Sequence, residues 1–177
     1  MPRLFTGLEL PAEIAGQIAL ARGGVPGARW IEPADYHITL RFLGDVDLGV
    51  AHDVAETLAE IRRPPLTVRF DGLSWFGGDK PRALVARIRP DAPLIELQAE
   101  QERRMRRIGL PPETRKYTPH VTLARLRRVK TRAVADYLDS RGALGAEGFT
   151  AERFVLFSSR ESVGGGPYVV EAAYPLG

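Results

Sequence analysis

Two of the three histidines in this chain stand in one four-residue setting: His37-Ile38-Thr39-Leu40 and, 83 residues later, His120-Val121-Thr122-Leu123. Side chains alternate faces along a strand, so each copy sets His and Thr on one face and two aliphatic residues on the other. The aliphatic face can anchor in a core while the front face presents an imidazole beside a hydroxyl. An imidazole titrates near pH 6.5 and can give or take a proton close to neutrality. A threonine hydroxyl can donate to a non-bridging phosphate oxygen. Two such strands facing each other across a cleft would place a base behind an attacking oxygen and an acid behind a leaving one. In-line displacement at phosphorus needs that arrangement. A single His-x-Thr is commonplace, whereas two among three histidines in matching aliphatic contexts is a signal.

The elements around the motifs repeat as well. Residues 3–10 read as a strand and 11–21 as a helix opened by Pro11. Residues 35–44 then read as extended, 47–63 as a helix with Asp47 as cap, and 64–77 as a strand bulged at Gly72. The second half runs from a strand at 82–88 to a long helix at 91–110, with Leu94, Leu97, Gln101 and Met105 down one side. A loop leads to the strand at 120–126. A helix at 131–142, ended by Gly142, precedes strands at 148–159 and 167–176, joined by the turn Glu161–Pro167. Each half runs strand, helix, His-containing strand, helix, strand, with His37 lying 26 residues after Pro11 and His120 lying 27 after Pro93. The repeat hints at duplication, and a chain of this length fits one domain or two small lobes sharing a core.

Composition narrows the chemistry. The chain has 177 residues and no cysteine, which removes disulfides and thiolate metal sites. Zinc would need three protein ligands, and no His-Glu-x-x-His or close carboxylate–histidine cluster is present; His52 falls on a helix surface. There is no nucleophile elbow, and Gly164–Pro167 lacks the Gly-Lys-Ser/Thr of a P-loop. No long apolar stretch resembles a signal peptide or a membrane span, so a soluble, cytoplasmic protein is expected. The net charge is +3, yet residues 103–132 hold eleven Lys or Arg against the single acid Glu113. Such a window attracts polyphosphates.

The contexts WIEPADYHITLRFLG (30–44) and RKYTPHVTLAR (115–125), the opening RLFTGLELP and the ending LFSSRESVGGGPYVVEAAYPL resemble the 2H phosphoesterase superfamily. Within it they resemble the RNA 2′,3′-cyclic phosphodiesterase branch, also called the 2′-5′ RNA ligase family. The likeness extends over essentially the whole chain. It implies a bilobal α+β fold, with two antiparallel sheets forming a central groove and helices outside. It implies hydrolysis of an RNA-terminal 2′,3′-cyclic phosphate to a 2′-phosphate, reversible 2′-5′ joining of RNA ends, and no metal or nucleotide cofactor. It makes His37 and His120 catalytic; taking His120 as base and His37 as acid is our own assignment, an order that the near-symmetric motifs do not fix. Thr39 and Thr122 become phosphate-binding, and Phe42 and Arg125 nucleotide-contacting. Strict alternation would turn Phe42 and Arg125 inward, so a twist or bulge must redirect them. Tyr117 and Tyr36 are small departures at the residues preceding the motifs. RNA ends are the expected partner and a monomer the expected state. The alternatives are a phosphodiesterase for a small cyclic phosphate, such as ADP-ribose cyclic phosphate, and a non-catalytic RNA-binding module.

Overall fold

The computed structural model describes residues 2–141, 144–159 and 167–177. The Glu161–Pro167 turn, save Pro167, and the stop at Gly142 therefore lie outside the described residues. The elements in chain order are β1 (Arg3–Glu9), α1 (Ala12–Ala19), β2 (Ala28–Trp30), β3 (His37–Asp45), α2 (Leu48–Leu58), β4 (Leu66–Val68), β5 (Phe70–Phe76), β6 (Ala83–Ile88), α3 (Ala92–Arg107), β7 (His120–Leu126), α4 (Thr131–Arg141), β8 (Phe149–Ala151), β9 (Arg153–Ser159) and β10 (Tyr168–Pro175). All ladders are antiparallel. The main sheet runs β10-β9-β1-β3-β7-β6-β5, with β2 beside β7, and β4 pairs with β8 in a separate small sheet.

The strand order interlocks the two halves. β5 closes the first half in sequence but pairs with β6, which opens the second. β9, from the second half, pairs with β1 at the start of the first. Each arm of the sheet thus takes its third strand from the opposite half of the chain. This exchange breaks the two strands expected at 64–77 and 148–159. Each gives up a three-residue segment, Leu66–Val68 or Phe149–Ala151, to the β4–β8 ladder, then resumes in the main sheet after Arg69 or Glu152. Other boundaries move less. Asp35 ends a 3-10 turn at Pro33–Asp35 instead of starting β3, and α2 stops at Leu58, short of the expected 63. Asp47 is its cap, accepting from the Val50 N–H at 2.8 Å.

The two arms meet through a single residue pair, Ile38 with Val121. On one side of it β2 takes over the edge of β7, from Ala124 to Leu126. On the other side the chain enters β7 from Pro119, whose missing N–H cannot extend a ladder, and Glu113 and residues 115–118 line a cavity together with Thr39–Phe42. The arms therefore splay into a groove. Ile38, Leu40, Val121 and Leu123 are buried in the main apolar cluster. The same cluster takes in Leu94, Leu97 and Met105 of α3, Val54 and Leu58 of α2, and Val134 of α4. With those aliphatic residues held under the helices, His37, Thr39, His120 and Thr122 face the groove.

Both motif strands bulge at the same place. β3 shifts register against β1 at Leu40, lying between the Thr39–Gly7 and Arg41–Thr6 pairs. β7 shifts against β6 at Leu123, between Thr122–Val85 and Ala124–Leu84. The extra residue reverses the alternation, so Leu40 and Arg41 both turn inward, as do Leu123 and Ala124. Phe42 and Arg125 emerge on the groove side, Phe42 half exposed at 50 %. The inward charge of Arg41, only 6 % exposed, is matched by a salt bridge to Glu102 on α3 and by donation to the carbonyls of Phe42 and Pro111.

Gly7, paired with Thr39, is the close-approach point behind the first motif. A Cβ there would lie 2.7 Å from the Ile38 carbonyl oxygen and 3.2 Å from the Phe157 ring. Gly7→Ala is expected to destabilise the fold by about 1–3 kcal/mol through overpacking. Gly16→Ala, in α1 with nothing within 4 Å, should be neutral or gain about 0.5–1 kcal/mol. Urea midpoints with unchanged m-values check both.

Candidate active site

Each imidazole is fixed by its own strand entry. His37 Nδ1 donates to the Asp35 carbonyl at 2.9 Å, and His120 Nδ1 donates to the Thr118 carbonyl at 2.8 Å. A carbonyl can only accept, so Nδ1 carries the proton in both rings and Nε2 is the working nitrogen. The 3-10 turn at Pro33–Asp35 sets the first of these contacts and the Thr118-Pro119 step sets the second. The same device is therefore built twice from different local structure.

The two rings are not equivalent. His37 Nε2 accepts from the Thr39 hydroxyl at 3.1 Å, and the ring packs among Phe5, Phe157 and Tyr168 with centroids 5.0, 5.6 and 5.0 Å away. Among the described residues His120 Nε2 has no hydrogen-bond partner; its ring meets the edge of Phe76 at 4.7 Å. Burial lowers the pKa of His37, opposed by the Asp35 carbonyl and assisted by the positive charges of His120 and Arg125. Burial likewise lowers that of His120, opposed by the Thr118 carbonyl and assisted by Arg125. Arg125 therefore disfavours the charged form of both rings. It lines both the compartment holding His37 and Thr39 and the one holding His120 and Thr122.

The larger compartment has a volume of about 600 Å³ and is bounded by Thr39–Phe42, Phe76, Arg82, residues 115–118, His120, Thr122 and Arg125. That is the scale of cavities that take small organic ligands, and larger than a phosphate group needs. All six residues singled out in the sequence come together around this groove: His37, Thr39, Phe42, His120, Thr122 and Arg125. Sequence reasoning missed Phe76 and Arg82. Neither belongs to a motif, and each arrives from the neighbouring strand pair. His52 lies apart on α2, paired with Glu56 at 3.5 Å. Among the described residues no three His, Asp or Glu side chains cluster as metal ligands would.

The "LigT like Phosphoesterase" family model matches residues 8–85 and again 88–168. The chain belongs to the LigT-like phosphoesterase family. An RNA 2′,3′-cyclic phosphodiesterase of Bacillus subtilis is 35 % identical over 70 % of this chain and 71 % of its own. One from Aeropyrum pernix is 37 % identical over 62 % of each chain, so less than two thirds of that relative is spanned. Among solved structures, Escherichia coli LigT complexed with 3′-AMP superposes with a TM-score of 0.81 at 25 % identity, covering 99 % of both chains. The bilobal α+β architecture expected from the resemblance is the LigT-like one found here.

Within this LigT-like groove Tyr117 fastens the two motifs to each other. Its hydroxyl donates to the Thr39 carbonyl at 2.7 Å, and burial raises its pKa so that it stays protonated. Tyr117→Phe is expected to cost about 0.5–1.5 kcal/mol, the net value of one such bond. A lowered urea midpoint with an unchanged far-UV circular dichroism spectrum would register it. An unchanged midpoint would show that the bond contributes nothing.

Proposed function

We propose that this protein hydrolyses an RNA-terminal 2′,3′-cyclic phosphate to a 2′-phosphate, without metal, by paired acid–base catalysis between His37 and His120. The observation carrying this reading is that both rings hold their Nδ1 protons against backbone carbonyls, leaving both Nε2 atoms for one groove.

His120, whose Nε2 lacks a partner among the described residues, serves as base. It takes a proton from water as the water oxygen attacks phosphorus. The P–O3′ bond breaks, and O3′ receives the proton from His37 Nε2. His120 ends protonated and His37 neutral, and exchange with solvent resets the pair. The Thr39 and Thr122 hydroxyls and the Arg125 guanidinium hold the non-bridging oxygens as negative charge builds on them. Thr39 is the natural partner for the His37 side, since its hydroxyl already lies against that Nε2. The half-exposed ring of Phe42 supplies a stacking face for the terminal base. With a 5′-hydroxyl in place of water, the same steps produce a 2′-5′ linkage, and their reversal breaks it.

We further propose that residues 1–177 act as a single catalytic domain, since the exchanged strands β5 and β9 leave neither half with a complete arm. It is expected to work as a monomer in the cytoplasm, a compartment that suits a cysteine-free chain.

With an RNA oligomer ending in a 2′,3′-cyclic phosphate and EDTA present, the wild type should yield the 2′-phosphate. His37→Ala and His120→Ala should each lower kcat about 10²–10⁴-fold. Full activity in either variant, or dependence on added metal, would contradict the mechanism. The pH dependence follows from the two lowered pKa values. The base must be neutral, so kcat/KM rises as pH climbs through its pKa; the acid must be charged, so the rate falls above its own. Both limbs belong to the coupled pair and both lie below the ordinary histidine value, giving a bell with its maximum below about pH 6.5. A flat profile from pH 5 to 8, or a maximum above neutrality, would rule out paired imidazoles in this state.

A further inference from the structure

The basic window that stands out in the sequence does not form one surface. Of its eleven cations only Arg115, Lys116 and Arg125 line the groove. Arg104 is consumed by Glu60 and Glu100. A fourth groove cation, Arg82, comes from outside the window, at the foot of β6. Among the described residues, Arg82, Arg115 and Lys116 are exposed and their side chains make no hydrogen bond or ion pair. They border the same cavity as His120 and Phe42, beyond the place where the cyclic phosphate would sit.

Three unpartnered cations on the wall of a 600 Å³ cavity are more than one phosphate needs, because Arg125, Thr39 and Thr122 already serve that group. The one acid among them does not cancel the charge pairwise. Glu113 turns a carboxylate oxygen to the Arg115 backbone N–H at 3.0 Å, and its own N–H donates to Glu102 at 3.0 Å. Glu102 is in turn held by the buried Arg41, which also binds the Pro111 carbonyl. Tyr117 ties down the far end of the loop through Thr39. The segment bearing Arg115 and Lys116 is thus anchored on both sides to the strand that carries the first motif, and its cations are held over the groove.

We propose that Arg82, Arg115 and Lys116 form a binding track for the phosphodiesters on the 5′ side of the reacting end. The track makes the enzyme selective for polynucleotides over cyclic mononucleotides. The inference rests on the cyclic-phosphate chemistry proposed above, but it concerns different residues. Phe42 and Phe76, on opposite strands of the same cavity, give successive bases two aromatic surfaces between which the backbone runs. A mononucleotide carries no 5′ phosphodiester and gains nothing from the track. A 2′,3′-cyclic mononucleotide would leave these three cations without a counterpart.

The test compares kcat/KM for an RNA hexamer ending in a 2′,3′-cyclic phosphate with that for a 2′,3′-cyclic mononucleotide, across a salt series. Wild type is set against Arg82→Ala/Arg115→Ala/Lys116→Ala. The RNA-to-mononucleotide ratio should fall at least tenfold in the triple variant. The log–log salt slope for RNA should become shallower by about 2, three contacts at roughly 0.7 each for a single strand. Arg82→Lys/Arg115→Lys, which keeps the charges, should retain most of the ratio and serves as the folding control. An unchanged ratio, or equal losses for both substrates, would overturn the track. If the wild type hydrolyses neither substrate, the catalytic reading fails by itself. Binding of a fluorescent RNA hexamer ending in a 2′-phosphate then decides the track. A shallower slope in the variant supports it and an identical slope overturns it.

Discussion

Everything at the groove depends on how little of the two motif strands is paired to each other. β3 and β7 share one residue pair, Ile38 with Val121. Were the ladder longer, the two arms would form a continuous flat sheet and the facing histidines would look out from one surface. With a single pair, the arms are hinged about buried aliphatic residues, and the face opposite that core opens. Strand alternation then does the rest: burying Ile38, Leu40, Val121 and Leu123 forces His37, Thr39, His120 and Thr122 outward. Hydrophobic burial sets which way the polar site faces, and the Asp35 and Thr118 carbonyls and the Tyr117 hydroxyl then fix it.

The second constraint is the bulge that follows each Thr. It permits an inward Arg41 and an outward Phe42 on the first strand, and an outward Arg125 on the second. Without it Arg125, which lines the compartments of both imidazoles, would be buried. Arg41 would instead enter the groove, and its links to Glu102 and Pro111 would be lost. One local irregularity thereby serves two purposes: it brings Arg125 to the groove and, through Arg41, anchors the loop at Pro111. The duplication accounts for the repetition but not for the differences. His37 sits in an aromatic cage with a hydroxyl on Nε2, while among the described residues His120 Nε2 makes no hydrogen bond. That asymmetry is the support for the proposed division of acid from base.

Much of the site was legible in the sequence because it is local. The His-x-Thr spacing, the inward aliphatic residues and the need for a bulge all follow from period-two alternation within seven residues. The apolar stripe of α3, with Gln101 included, was equally readable, as was the Asp47 cap. What could not be read is non-local. Nothing in residues 64–77 says that Leu66–Val68 will pair with Phe149–Ala151 while Phe70–Phe76 crosses to β6. The arrival of Phe76 and Arg82 beside His120 follows from that crossing and was missed with it. The basic window likewise looked like one patch because sequence distance was the only measure; its cations divide between helix, loop and strand. Tyr117 was noticed only as a departure, whereas its hydroxyl spans the two motifs.

The most direct test of the account is the protonation state of the His37 and His120 rings, read by long-range ¹H–¹⁵N correlation spectra of the histidine side chains between pH 4 and 8. The account predicts the Nδ1–H form for both His37 and His120 when neutral, and midpoints for both below that of an ordinary histidine. Finding the Nε2–H form in either neutral ring, or a midpoint above about 6.5, would contradict it. A blocked or charged Nε2 could not take the proton from water at His120, and a neutral His37 with its proton on Nε2 would have lost the Asp35 contact that orients it.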